Sequence, residues 1–206
     1  NKTIDQGNFS SFISILGATE KPAVKSSAEK ALKNVISKSR NKQKLATQLL
    51  GAFNATIDEK YKHSMIRLLG NTGSDVAKTT ISESLESDSM NERIAAAAAF
   101  GAWPNDEPFD ALLDAFESED TLAAKSEIFK SAIKLLSAKR RHDNELGSRW
   151  LTLSAYTPDN LKINVIKEVV NAKADWSAPV LKYFIGNDHD DRVQNLAKKG
   201  LNIINS

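Results

Sequence analysis

The chain holds three histidines, His63, His142 and His189, and no cysteine. A metal site built on imidazole needs a second ligand at a matched spacing, such as two histidines one helical turn apart. No histidine here has such a partner. The nearest approach to a ligand cluster is Asp188-His189-Asp190-Asp191, where carboxylates at a helix start favour the positive end of its dipole. Without cysteine there is neither thiol chemistry nor a disulfide framework. A Gly-x-Ser-x-Gly elbow and a phosphate-cradling glycine loop are also missing. Carboxylates are dense between 73 and 120, with Glu83 and Glu86, or Asp110 and Asp114, one helical turn apart. That spacing describes a solvated helix face; a catalytic acid pair is the sharper alternative. We expect no catalytic, cofactor-binding or metal site, and hence no enzyme.

The basic residues invite a different chemistry. Lys139-Arg140-Arg141-His142 ends a helix that also carries Lys125, Lys130 and Lys134. Cations at a helix C-terminus are favoured by the dipole, and an anion contact is the functional alternative. Net charge is +7 over residues 1–72, −10 over 73–120 and +5 over 121–206, against +2 for the whole chain. A groove that tracks a nucleic-acid backbone keeps one sign, so nucleic acid is an unexpected partner. Trp103 precedes Pro104 and is expected to plug a turn. Trp150 sits in an apolar run. Trp176 precedes Ser177, where it would staple a helix start.

The elements that position these groups follow from a repeat. An apolar or small residue, a basic or polar residue, two variable places and a second apolar residue recur from Val24, Tyr61, Ile94, Ala124, Leu161 and Val193. Their spacings are 37, 33, 30, 37 and 32 residues, a mean of 33.8. Two helices of about 12 residues with short turns fill such a period. The first helices are read at 8–17, 41–54, 74–87, 107–118, 144–155 and 177–186, where apolar residues such as Phe109, Leu112, Leu113 and Phe116 keep helical spacing. The second helices are read at 22–38, 58–70, 90–102, 121–138, 158–172 and 189–204. Thr157-Pro158 reads as a cap with proline in the first turn. Ser74, Thr121 and Ser177 stand at cap positions, and Gly70, Gly101 and Gly186 near helix ends. The run Ala95–Ala99 permits close helix approach, with Ala98 expected as its buried member. The chain reads as a single domain over 1–206.

The second helices carry a resemblance. Tyr61-Lys62-x-x-Met65-x-x-Leu68-Leu69-Gly70 and Asp190-Asp191-Arg192-Val193-Gln194-x-x-Ala197 resemble the second helix of a HEAT repeat. The resemblance implies an all-α fold, a right-handed α-α superhelix (solenoid) of about six HEAT-like two-helix repeats. It also implies an Asp before the anchor, filled by Asp58 and Asp190, and a basic residue after it. Lys25, Lys62, Lys125 and Lys162 take that basic place; Ala95 and Gln194 depart from it. A lysine in the first turn opposes the dipole by a few tenths of a kcal/mol. Its recurrence calls for a carboxylate, either from an adjacent unit, as in HEAT ladders, or from an acidic partner. These four lysines are the candidate partner-binding residues. A narrower resemblance, Arg93-Ile94 through Trp103-Pro104 with Pro108-Phe109, is to HEAT modules of large secreted bacterial proteins, often beside sugar-acting domains such as 3-keto-disaccharide hydrolases.

The expected role is a non-catalytic protein-interaction or scaffolding module that binds a protein partner or a neighbouring domain of its own chain. A HEAT-fold enzyme acting on DNA bases, like a DNA glycosylase, is the alternative. The chain starts Asn1-Lys2-Thr3 without Met, which we read as a fragment or module of a larger protein. A periplasmic or secreted location is favoured over a cytoplasmic one, and no run approaches the roughly 20 apolar residues of a membrane span.

Overall fold

The computed structural model describes residues 7–139 and 143–205. Twelve α-helices run through them: α1 Gly7–Ala18, α2 Pro22–Lys38, α3 Lys42–Asn54, α4 Glu59–Leu69, α5 Asp75–Leu85, α6 Met90–Phe100, α7 Phe109–Ser118, α8 Leu122–Ser137, α9 Asn144–Ala155, α10 Lys162–Ala172, α11 Ser177–Asn187 and α12 Asp191–Asn205. Among the described residues there is no strand, and the protein is all-α. No described helix is long and apolar enough to cross a membrane.

Local chemistry explains the starts. Asn41, Asp58 and Asp143 each accept a hydrogen bond from the backbone N–H three residues on, at 2.9–3.0 Å, satisfying one orphan donor of α3, α4 and α9. Pro22 lies in the first turn of α2, where it has no hydrogen bond to lose. Pro158 departs from expectation. It precedes a 3-10 turn, Asp159–Leu161, with extended backbone, and α10 starts only at Lys162. Ser74 makes no side-chain cap. The Ser177 hydroxyl instead accepts from the Ala174 N–H and donates to the Val169 carbonyl.

The helices form two compact units, residues 1–131 and 132–206, with the division inside α8. In the first, α1 packs on α2, α3 on α4 and α5 on α6. Alternate helices pack too: α1 on α3, α2 on α4, α3 on α5 and α4 on α6. Across α1–α6 the odd and even helices thus form two layers. In the second, α11 packs on α12, α9 on α11 and α10 on α12.

The first unit is tightest where α4 meets α6. A Cβ placed on Gly70 would lie 2.1 Å from the Ala99 carbonyl oxygen, so only glycine lets the two backbones approach. Ala95, Ala96, Ala97 and Ala99 are fully buried. Ala98 is the half-exposed member of the run, contrary to the expectation that it is the buried one. The rotation of α6 is set by the Gly70 contact, which turns Ala99 inward. Trp103 is buried edge-on against Phe100. In the second unit Gly147 makes room for Trp176, whose Cβ would lie 2.5 Å from a Cβ at that position. Trp176 then stacks on Trp150 at 5.7 Å, so two tryptophans far apart in sequence share one core contact.

Candidate functional site

Within each compact unit, the junctions between neighbouring helix pairs hold organised polar chemistry among the described residues. One place decides it, five residues before each anchor. It holds Thr19, Thr56, Ser89, Glu119, Tyr156 and Asp188. Four of these side chains accept the backbone N–H two residues on: Thr19 from Lys21, Thr56 from Asp58, Glu119 from Thr121 and Asp188 from Asp190. An oxygen there tightens the turn into the second helix. Where it belongs to a carboxylate, a cation from the preceding helix pair joins it.

In the first unit that cation is Arg93, from the first turn of α6. Its Nε and Nη2 donate to the two Glu119 oxygens at 2.8 and 3.1 Å, and Nη1 donates to the Ser87 and Asp88 carbonyls. The pair is buried on the Glu119 side, where the side chain is 3% exposed. The Arg93 hydrogen bonds hold the Glu119 carboxyl at about 2, outweighing burial, which acts to raise it. In the second unit Lys162 lies 2.7 Å from Asp188 and 2.7 Å from Asp159. Burial acts to raise the Asp188 carboxyl, and the bonds from Lys162 and the Asp190 N–H overcome it, leaving it below its usual range.

The four candidate lysines divide. Lys162 alone among them meets a buried carboxylate, Asp188 at the end of α11. Lys25 lies 3.7 Å from the exposed Glu20. Lys62 sits over the Phe53 ring at 5.6 Å, and Lys125 over Phe116 at 5.0 Å, each a cation–π contact. Asp58 and Asp190 serve their own helix starts: Asp58 caps α4, and Asp190 binds the Arg192 N–H and guanidinium. Where the lysine pattern lapses, Gln194 donates to the Asp188 carbonyl at 2.7 Å. The carboxylates that matter therefore stand at minus five, and the place at minus three is a cap. Arg93 stands one residue before its anchor, and the repeat pattern looks for its cation one residue after, so the pattern misses it. The recurrence of Thr, Glu and Asp at minus five is the signal that points to these seams.

Two grooves of opposite sign open in the first unit. One, of about 790 Å³, lies among α5, α6, α7 and α8 and is ringed by Glu86, Asp88, Asp114 and Asp120, with the Arg93–Glu119 pair in its wall. A smaller hollow sharing Glu86 and Asp88 adds Glu83 and Glu92. Glu92 accepts from the Ser84 and Ser87 hydroxyls. Neither α5 nor α7 has a basic residue in its last turn, so their negative dipole ends add to the field. The second groove, of about 460 Å³, lies among α1, α2 and α4 and carries Lys25, Lys60, His63 and Arg67 beside Glu20 and Glu29. Burial first, then Arg67, pushes the His63 imidazole down, against Glu92, Glu59 and Asp58.

Ile57 and Leu122, in or next to the turns between paired helices, are 97% and 82% exposed. Asp110 and Asp114 are on α7, and His189 is exposed beside the buried Asp188. Among the described residues no three His, Asp or Glu side chains are grouped to hold a metal ion. Of the basic run, Arg140, Arg141 and His142 lie outside the described residues. No family model matches the chain, and no curated protein matches it.

Proposed function

We propose that this chain is a non-catalytic protein-interaction module, a right-handed HEAT-like solenoid of six two-helix repeats whose seams receive a protein partner or a neighbouring domain. The observation that supports it most is the packing order: within each unit, helices pack on the next or the next but one in the chain. That order extends a surface and leaves a groove at successive seams. Those grooves carry charged side chains in excess of their internal partners, which is the surface a charged polypeptide needs. The place of the module beside catalytic domains of a secreted bacterial protein is part of the same proposal.

Two labelled peptides of equal length test it, one rich in glutamate and one rich in lysine. Fluorescence anisotropy at low and physiological salt should show salt-sensitive binding of at least one, with hydrogen-exchange protection in the seam segments. The reading is overturned if neither binds. It is equally overturned by a reproducible turnover that a single change at Asp110, Asp114 or His189 abolishes with helicity retained.

A further inference from the structure

We propose that the groove among α1, α2 and α4 docks an acidic polypeptide segment contributed by another protein, with Lys60 and Arg67 as its principal contacts; this rests on the interaction-module reading. Lys60, His63, Ser64 and Arg67 stand at i, i+3, i+4 and i+7 on α4, so they share one face over two turns, about 10 Å. Across the groove α2 presents Lys25 and Ser26. The stripe fits carboxylates spaced three or four residues apart on an incoming helix, or alternate side chains of an extended segment.

The cations are available. Among the described residues neither Lys60 nor Arg67 has a carboxylate within ion-pair distance, and the Arg67 guanidinium contacts only the Ser64 hydroxyl, at 3.4 Å. Lys60 is exposed and Arg67 half-buried, so the guanidinium is already partly stripped of water and has no carboxylate at ion-pair distance among the described residues. One wall is also tied to α1. The Tyr61 hydroxyl donates to the Ile13 carbonyl at 3.0 Å, and its ring lies against Gly17. A groove held in shape before binding loses less entropy on binding.

The lining selects a class of partner. Glu20 and Glu29 stand among the cations. A nucleic-acid backbone, negative throughout, meets repulsion there, whereas a polypeptide can place a neutral or basic residue opposite each glutamate. His63 reports occupancy. It faces Arg67, Glu59 and Asp58 on or beside its own helix and Glu92 on α6. A carboxylate arriving at Arg67 offsets that charge, and the imidazole titrates at higher pH.

The test uses the whole chain and the glutamate-rich peptide. Lys60→Ala with Arg67→Gln should weaken binding roughly tenfold or more and leave the melting temperature unchanged. The His63 ring, followed by NMR, should titrate higher with peptide than without. Lys60→Glu alone, at an exposed position, should weaken binding in the same direction and guards against a folding defect at Arg67. Unchanged affinity in these variants overturns the assignment. So does equal competition by single-stranded DNA, or a concentration-dependent doubling of mass that the variants abolish, which would make a second copy the occupant. Binding of the lysine-rich peptide alone overturns this assignment and leaves the module reading standing; binding of neither removes both.

Discussion

The seam closed by Arg93 and Glu119 and the seam closed by Lys162 and Asp188 use the same carboxylate place with different cations. Both carboxylates are nearly inaccessible, and both also accept an N–H two residues on. Arginine engages both oxygens of Glu119 with a planar fork and uses its remaining nitrogen on two carbonyls. Lysine, a point charge, is divided between buried Asp188 and an Asp159 side chain that is 95% exposed. In these two seams the acid keeps its place, and the cation shifts along the preceding helix by two positions. The fork should hold its seam more strongly, because bidentate geometry adds to the charge.

Arg93→Ala leaves Glu119 buried without its partner and should cost about 3–5 kcal/mol in urea unfolding. Lys162→Ala should cost less, about 1.5–3 kcal/mol, the range of a charged hydrogen bond. Equal losses would remove the distinction between fork and point charge.

The second test is pH. The Glu119 carboxyl is lowered from 4.5 to about 2 when folded. A depressed acid contributes stability that is present above the unfolded value and is lost as pH falls through the folded one. Unfolding free energy should therefore drop between pH 4.5 and about 2, and this drop should be much shallower in Arg93→Ala. Parallel pH curves would separate the pair from acid stability.

Much of this architecture is legible in the order of residues alone. The bounds of α2 and α9 coincide with those drawn from apolar spacing, because both begin after a clear local signal, Lys21-Pro22 or Asp143-Asn144. The miss at Pro158 is local too: a 3-10 turn and an α-helical turn share sequence preferences. The miss at Ala98 has another origin. In a run of five alanines no residue type marks the inward face, and the Gly70 contact from α4 decides it. The same holds for the stack of Trp150 on Trp176, which depends on the missing side chain of Gly147. At the seams, the lysines are visible as a repeat, but their partners are not. Whether a lysine meets Asp188, Glu20 or an aromatic face depends on packing between helices, and only the oxygen at minus five foreshadows it.

Each unit has a glycine at a close approach between helices. Gly70→Ala drives a methyl against the Ala99 backbone, which cannot rotate away, and should cost about 1–3 kcal/mol. Gly147→Ala meets the Trp176 side chain and should cost less within that range. Thermal unfolding of both variants checks the order.

The smallest effect concerns the lysines outside the buried pair. Lys25→Ala with Lys125→Ala removes one exposed ion pair and one cation–π contact, each contributing at most about 1 kcal/mol. The melting temperature should fall slightly. Binding of the glutamate-rich peptide should weaken through Lys25, which lines the cationic groove, and not through Lys125 when the two are changed singly.

A double-mutant cycle at Arg93 and Glu119 measures most directly how strongly the minus-five carboxylate ties the end of α7 to α6. Stability is measured for wild type, Arg93→Ala, Glu119→Ala and the double variant in urea. The account predicts a coupling of at least about 1 kcal/mol, with the double variant less damaged than the two single losses together. Additivity within about 0.3–0.5 kcal/mol would show that the pair does not hold the seam, and would contradict it.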